Sequence, residues 1–168
     1  MFDLINGLPV HVLVVHAVVV LTPLAALGAI AIALKPAWRV TYGPLLTLIA
    51  LVDTILAPIA SSSGEALEER VGNPGEHAEL GGLLIWFLIP LTLLIAAMVL
   101  AARRPDSSIG KRLTGGPSKA IAGLAIVAAI ATTGMVVWIG DTGARAAWAD
   151  QIQGASQTSS QTSPESGS

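Results

Sequence analysis

Cysteine is absent from this chain. That excludes disulfides, thiolate metal sites, Cys-held iron–sulfur clusters and covalent c-type haem. Charge is scarce too. Only 12% of the 168 residues are Asp, Glu, Lys or Arg, against roughly 25% in soluble domains. A net charge of −2 gives no general pull toward nucleic acid. There is no Gly-rich phosphate loop, no Ser-His-Asp spacing, no HExxH and no basic aromatic surface. Met1-Phe2-Asp3 lacks a basic n-region, and the first apolar run is too long for a signal peptide, so a retained helix is expected there.

What is present is apolar: 53% of the chain is hydrophobic. A bilayer requires helices of about 20 apolar residues. Residues 8–34, 40–60, 80–102 and 119–140 meet that length. The expected fold is all-α: an integral membrane four-helix bundle over residues 1–150. The polar stretch 151–168, mostly Ser, Thr, Gln and Gly, cannot bury enough apolar surface to fold and is expected to be a disordered tail.

Basic residues set the expected orientation. Seven of the nine, Lys35, Arg39, Arg103, Arg104, Lys111, Arg112 and Lys119, lie in the first and third connections. Positive loops stay in the cytoplasm. A multi-pass plasma membrane protein with both termini and the acidic second connection, 61–79, outside the cytoplasm follows. Trp38, Trp86, Trp138 and Trp148 read as interface anchors or bundle packing. On the fourth helix Ala125, Ala129 and Thr133 permit close backbone approach. Pro9 suits the first position of the first helix. Pro58 is expected to kink or loosen the end of the second. Residues 63–71 read as a short separate surface helix. Asn73-Pro74-Gly75-Glu76 looks like a helix start, which puts His77 on the first turn of the third helix.

The chemistry-bearing groups gather near the outer face. The run 8–34 holds no Lys, Arg, Asp or Glu, yet it holds His11 and His16. An ionisable ring inside a membrane-length helix is costly and marks a candidate site. At about 1.5 Å rise per residue, His16 and Asp53 both lie roughly 10–12 Å below the outer helix ends, so they are expected to form a buried polar pair. His11 and His16 point about 140° apart on an ideal helix and do not share one small ion. Both halves also close on a hydroxyl-Gly pair, Ser63-Gly64-Glu65-Ala66 and Thr142-Gly143-Ala144-Arg145, with His11 and His77 at similar positions. This internal repeat makes Glu65 and Arg145 partners of opposite sign.

Three readings use these groups. One is b-type haem between imidazoles on facing helices, with His16 or His11 joined to His77. A second is a thiolate-free metal site of His11, His77 and carboxylates such as Glu76 or Asp141. A third is a proton relay through Asp53 and His16, which reaches only the outer half of the bilayer. The plainer alternatives are a structural His16–Asp53 hydrogen bond and a solvated acidic loop.

Taken in order, several segments resemble the bacterial membrane family called domain of unknown function 2231, over residues 8–148. They are Leu8-Pro9-Val10-His11 through His16, Ser63-Gly64-Glu65-Ala66 with Glu69, His77-Ala78-Glu79-Leu80-Gly81, and Gly140-Asp141-Thr142-Gly143-Ala144-Arg145-Ala146-Ala147-Trp148. The Ala and Gly content and the last motif are similar to actinobacterial members. Two departures stand out. Many members have Pro where this chain has Val18, and many end the fourth helix with an aromatic-Arg-His motif where this chain reads Gly-Ala-Arg. That missing histidine argues against a second haem. By its layout the family resembles small di-haem cytochrome b-like bundles, an analogy that favours haem. The leading expectation is therefore an integral membrane protein of unassigned biochemical role, with b-type haem or a metal as the candidate ligand of an outer-face cluster of His and carboxylate groups. The alternative is a structural or accessory subunit of a larger membrane complex, and an enzyme acting alone comes third. Expected partners are the lipid bilayer and other membrane proteins or further copies of the chain, not nucleic acid.

Overall fold

The computed structural model describes residues 4–5, 8–71, 75–113 and 115–161, with side chains over 11–66, 75–113, 115–145 and at Trp148. A two-residue antiparallel pairing of β1 (Leu4–Ile5) with β2 (Leu8–Pro9) precedes the helices. The rest is helical: α1 (Val10–Leu34), α2 (Trp38–Thr41), α3 (Gly43–Val71), α4 (Glu76–Leu83), α5 (Ile85–Arg103), α6 (Ser108–Leu113) and α7 (Gly116–Gln161). Pro9 sits just ahead of α1 rather than on its first turn.

Four stretches are long and apolar enough to cross a membrane: His11–Leu34, Gly43–Ala66, Glu76–Arg103 and Gly116–Arg145. The third spans α4 and α5, which meet at Leu84, a residue whose backbone stays helical. α4 starts at Glu76 and carries His77 on its first turn, as expected; its cap is Gly75, at φ 64°. The expected cap Asn73 and its neighbour Pro74 lie outside the described residues.

Two boundaries differ from the sequence reading. The second transmembrane helix does not stop at Ala60 with a separate surface helix after it; α3 runs unbroken to Val71. Ser62 and Ser63 donate their hydroxyls back to the carbonyls of Pro58 and Ala60, and the Glu-Ala-Leu-Glu-Glu-Arg run that follows consists of good helix formers. The last helix continues to Gln161, past the point where an unstructured tail is expected. Extending a helix already nucleated costs little per residue. Residues 162–168 lie outside the described residues.

The four long helices form a ring. α1 packs on α3 and α7, α5 packs on the same two, and α1 faces α5 across the bundle. Each helix turns a three-four stripe inward: Val18, Thr22, Ala25, Ala29 and Ile32 on α1; Leu46, Ala50, Asp53 and Ala57 on α3; Leu84, Leu88, Leu91, Ile95 and Met98 through α5; Ala125, Ala129, Thr132 and Val136 on α7. The alanines let backbones approach closely. The opposite faces carry exposed Val20, Leu27, Leu45, Leu93, Val127 and Val137. Burying those side chains is left to lipid.

At the end opposite the histidines, Arg39 is buried and holds three elements. Its Nε donates to the Ile32 carbonyl at 2.9 Å, Nη2 to the Ala33 carbonyl and Nη1 to the Ser118 hydroxyl. Burial lowers its pKa from the ordinary value, but a guanidinium starts too high to lose its charge. The cation therefore caps the last carbonyls of α1, where the helix dipole is negative. Gly110 tucks against the Arg104 carbonyl, where any Cβ would collide with backbone.

Candidate ligand site at the histidine end

His11 stands at the head of α1, half-buried against α3. Its Nδ1 lies 2.9 Å from the Ala60 carbonyl. A carbonyl only accepts, so Nδ1 carries the proton, and the lone pair of the neutral ring is on Nε2. Ser63 donates its hydroxyl to the same carbonyl at 2.9 Å, and its oxygen is also 3.3 Å from Nδ1. The ring edge lies over Gly64, where a Cβ would come within 3.0 Å of Cε1.

His77 repeats this arrangement in the second half. Its Nδ1 donates to the Ile139 carbonyl at 3.0 Å. The Thr142 hydroxyl donates to that carbonyl too, at 3.0 Å. The ring lies over Gly143, where a Cβ would fall 2.8 Å from Cε1. In both halves the accepting carbonyl is one turn before the glycine and the hydroxyl residue immediately precedes it. The correspondence extends down the helices. Val18, Ala25, Ala29 and Ile32 match Leu84, Leu91, Ile95 and Met98. Ala50, Asp53 and Ala57 match Ala129, Thr132 and Val136. All are buried. The internal repeat is thus a pseudo-two-fold bundle of two hairpins, each closed by a histidine latch at the same end.

The other candidates fall elsewhere. His16 is exposed, and its Nδ1 bonds the Val12 carbonyl on its own helix. The expected His16–Asp53 pair is not formed. Asp53 is fully buried and takes the Thr22 hydroxyl on Oδ2 at 2.7 Å. The physical reason is the inward stripe of α1, which runs through Val18 and Thr22 and leaves His16 on the outer face. Among the described residues, Asp53 Oδ1 has no hydrogen-bond partner. Nor do Glu65 and Arg145 pair as the repeat suggested. Arg145 instead bonds Asp141, one turn back on the same exposed helix face, at 2.9 Å, a pair of little energetic weight. Glu65, Glu76 and Asp141 are all exposed, and Glu69 has no described side chain. Among the described residues no three His, Asp or Glu gather into a set that could hold a metal ion. His11, His77, Glu76 and Asp141 are therefore not brought together as a metal centre.

Ser63 and Gly64, Thr142 and Gly143 were visible in the sequence as paired motifs; the carbonyls they serve and the role of Thr22 were not. The motif order is what a family model reads, and one matches residues 7–156, described as "Predicted membrane protein (DUF2231)". The chain belongs to this family. Comparison with curated proteins and with solved structures returns no match.

Proposed function

We propose that this membrane protein binds b-type haem at its histidine end, where His11 and His77 would hold it through their Nε2 atoms. The observation that carries the reading is the shared arrangement: each Nδ1–H is committed to a backbone carbonyl, so in the neutral ring the lone pair lies on Nε2. Such a carbonyl partner is what orients metal-binding imidazoles and raises their basicity. The two rings sit at the same end of the bundle, His11 at the head of α1 and His77 on the first turn of α4. Two imidazoles suffice for haem, whereas a bare metal ion needs a third protein ligand that the described residues do not gather. Bound haem would supply one-electron redox chemistry. The protein's own residues would fix both imidazole planes through the Ala60 and Ile139 carbonyls.

The test is a visible spectrum of the detergent-purified protein after haem-supplemented expression. The wild type should give a Soret band with sharp α and β bands on reduction. His11→Ala and His77→Ala should each lose the six-coordinate signature, while His16→Ala keeps it. A full wild-type spectrum in His77→Ala would defeat the bis-imidazole assignment. A colourless wild type would favour the accessory-subunit reading instead.

The proposal extends to sidedness: plasma membrane, histidine end and both termini extracytoplasmic, basic end in the cytoplasm. Ser62 and Ser108 are exposed at opposite ends, and the native chain has no thiol. An impermeant thiol reagent on intact cells should label Ser62→Cys and spare Ser108→Cys. The reverse pattern would invert the orientation.

A further inference from the structure

We infer that the hydroxyls of Ser63 and Thr142 set the donor strength of the two latch imidazoles, making them positioning and tuning groups of the proposed site. In each half one carbonyl receives both a ring N–H and a side-chain O–H. Ser63 and His11 share the Ala60 carbonyl, each at 2.9 Å. Thr142 and His77 share the Ile139 carbonyl, each at 3.0 Å. Two donors on one acceptor draw on the same oxygen charge, so each bond is weaker than it would be alone. A weaker Nδ1–H···O bond leaves less electron density on the ring, and Nε2 becomes a poorer donor. Deleting the hydroxyl removes one competing donor and leaves the carbonyl to the ring and to the helix's own i+4 N–H.

The halves are not identical. The Ser63 oxygen also lies 3.3 Å from His11 Nδ1, so that ring proton is divided between two acceptors. Thr142 bonds the Trp138 carbonyl as well, at 3.2 Å, which spends part of its proton elsewhere.

Only the redox half of the test rests on the haem reading. First, the ligand-free protein, labelled with ¹⁵N-histidine in detergent micelles, is compared by NMR as wild type, Ser63→Ala, Thr142→Val and Ser62→Ala. The Nδ1 proton of His11 should move downfield in Ser63→Ala, and that of His77 in Thr142→Val, each without change at the other ring. Ser62→Ala, which removes a back-bonded hydroxyl one residue away, should move neither. Ser63→Thr, which installs the residue of the other half, should restore the wild-type position and guards against a folding artefact. Second, haem-loaded Ser63→Ala and Thr142→Val should each show a lower midpoint potential, with additive shifts in the double variant. Unmoved Nδ1 protons in both single variants would overturn the inference. Moved protons in a protein that takes up no haem would uphold it and overturn the haem reading alone. Moved protons with unchanged potentials in a haem-loaded protein would overturn the tuning role.

Discussion

Thr22→Val lowers the stability of the detergent-solubilised protein by about 1–3 kcal/mol, and more than Asp53→Leu does. The expected asymmetry comes from what each change leaves behind. Asp53 is fully buried, and among the described residues Thr22 supplies its one hydrogen bond. Valine at 22 matches threonine in shape but strands the carboxyl, and a stranded buried polar group costs its full desolvation. Leucine at 53 strands only a hydroxyl, which can turn back onto a carbonyl of its own helix, as Thr47, Thr54 and Thr133 already do. The pseudo-two-fold supplies a rescue. Where the first hairpin has Thr22 and Asp53, the second has Leu88 and Thr132, both buried. The double variant Thr22→Leu/Asp53→Thr copies that pair and should recover most of the loss. Thermal unfolding of the singles and the double decides it. A harmless Thr22→Val, or a double variant as poor as the sum of its singles, would sink the proposed pairing.

That pair also shows why part of the fold was hidden in the sequence. The four spans were legible because length and apolar content alone define them. Helical phase was not. In water a helix advertises its buried face by hydrophobic contrast; in a bilayer both faces are apolar and the contrast vanishes. On α1 the lipid-facing Val19, Val20, Leu24 and Leu27 are bulkier than the inward Thr22, Ala25, Ala26 and Ala29. Depth alone therefore selected His16 for Asp53, although His16 lies off the stripe that passes through Val18 and Thr22. On α7 the corresponding stripe, through Ala125 and Ala129, picks out Thr132 rather than Thr133 as the buried threonine.

The latches were half legible. His11, His77 and the two hydroxyl-Gly pairs stand out because polar and glycine residues are conspicuous at the ends of apolar runs. Their partners could not, because the acceptors at Ala60 and Ile139 are main-chain carbonyls, and every residue has one. The end of α3 was misplaced for a related reason. Pro58 and three serines in a row suggest a stop in water, yet serine hydroxyls can serve the preceding turn and let the helix pass.

The second large effect is expected at Gly143. Alanine there would place Cβ 2.8 Å from His77 Cε1 and 2.9 Å from Nδ1, closer than real Cβ atoms come to ring atoms. The helix backbone cannot retreat without breaking its own ladder, so the imidazole must swing away and surrender the Ile139 carbonyl. Overpacking of this kind costs typically about 1–3 kcal/mol, and the lost latch adds to it. Gly64→Ala should be milder, because its Cβ would meet His11 at 3.0 Å and 3.3 Å, distances that a small tilt of the ring can relieve. Gly81→Ala is the control: nothing lies within 4 Å of its Cβ, so removing a helical glycine there should be neutral or mildly stabilising. Thermal unfolding should rank the three Gly81→Ala, Gly64→Ala, Gly143→Ala from most to least stable. If the haem reading holds, Gly143→Ala should also change the visible spectrum of the haem-loaded protein, since only the His11 imidazole then keeps its orientation. Equal stability of Gly143→Ala and Gly81→Ala would mean that His77 is not held over this glycine, and with that the latch, and the tautomer argument built on it, would fail for the second hairpin.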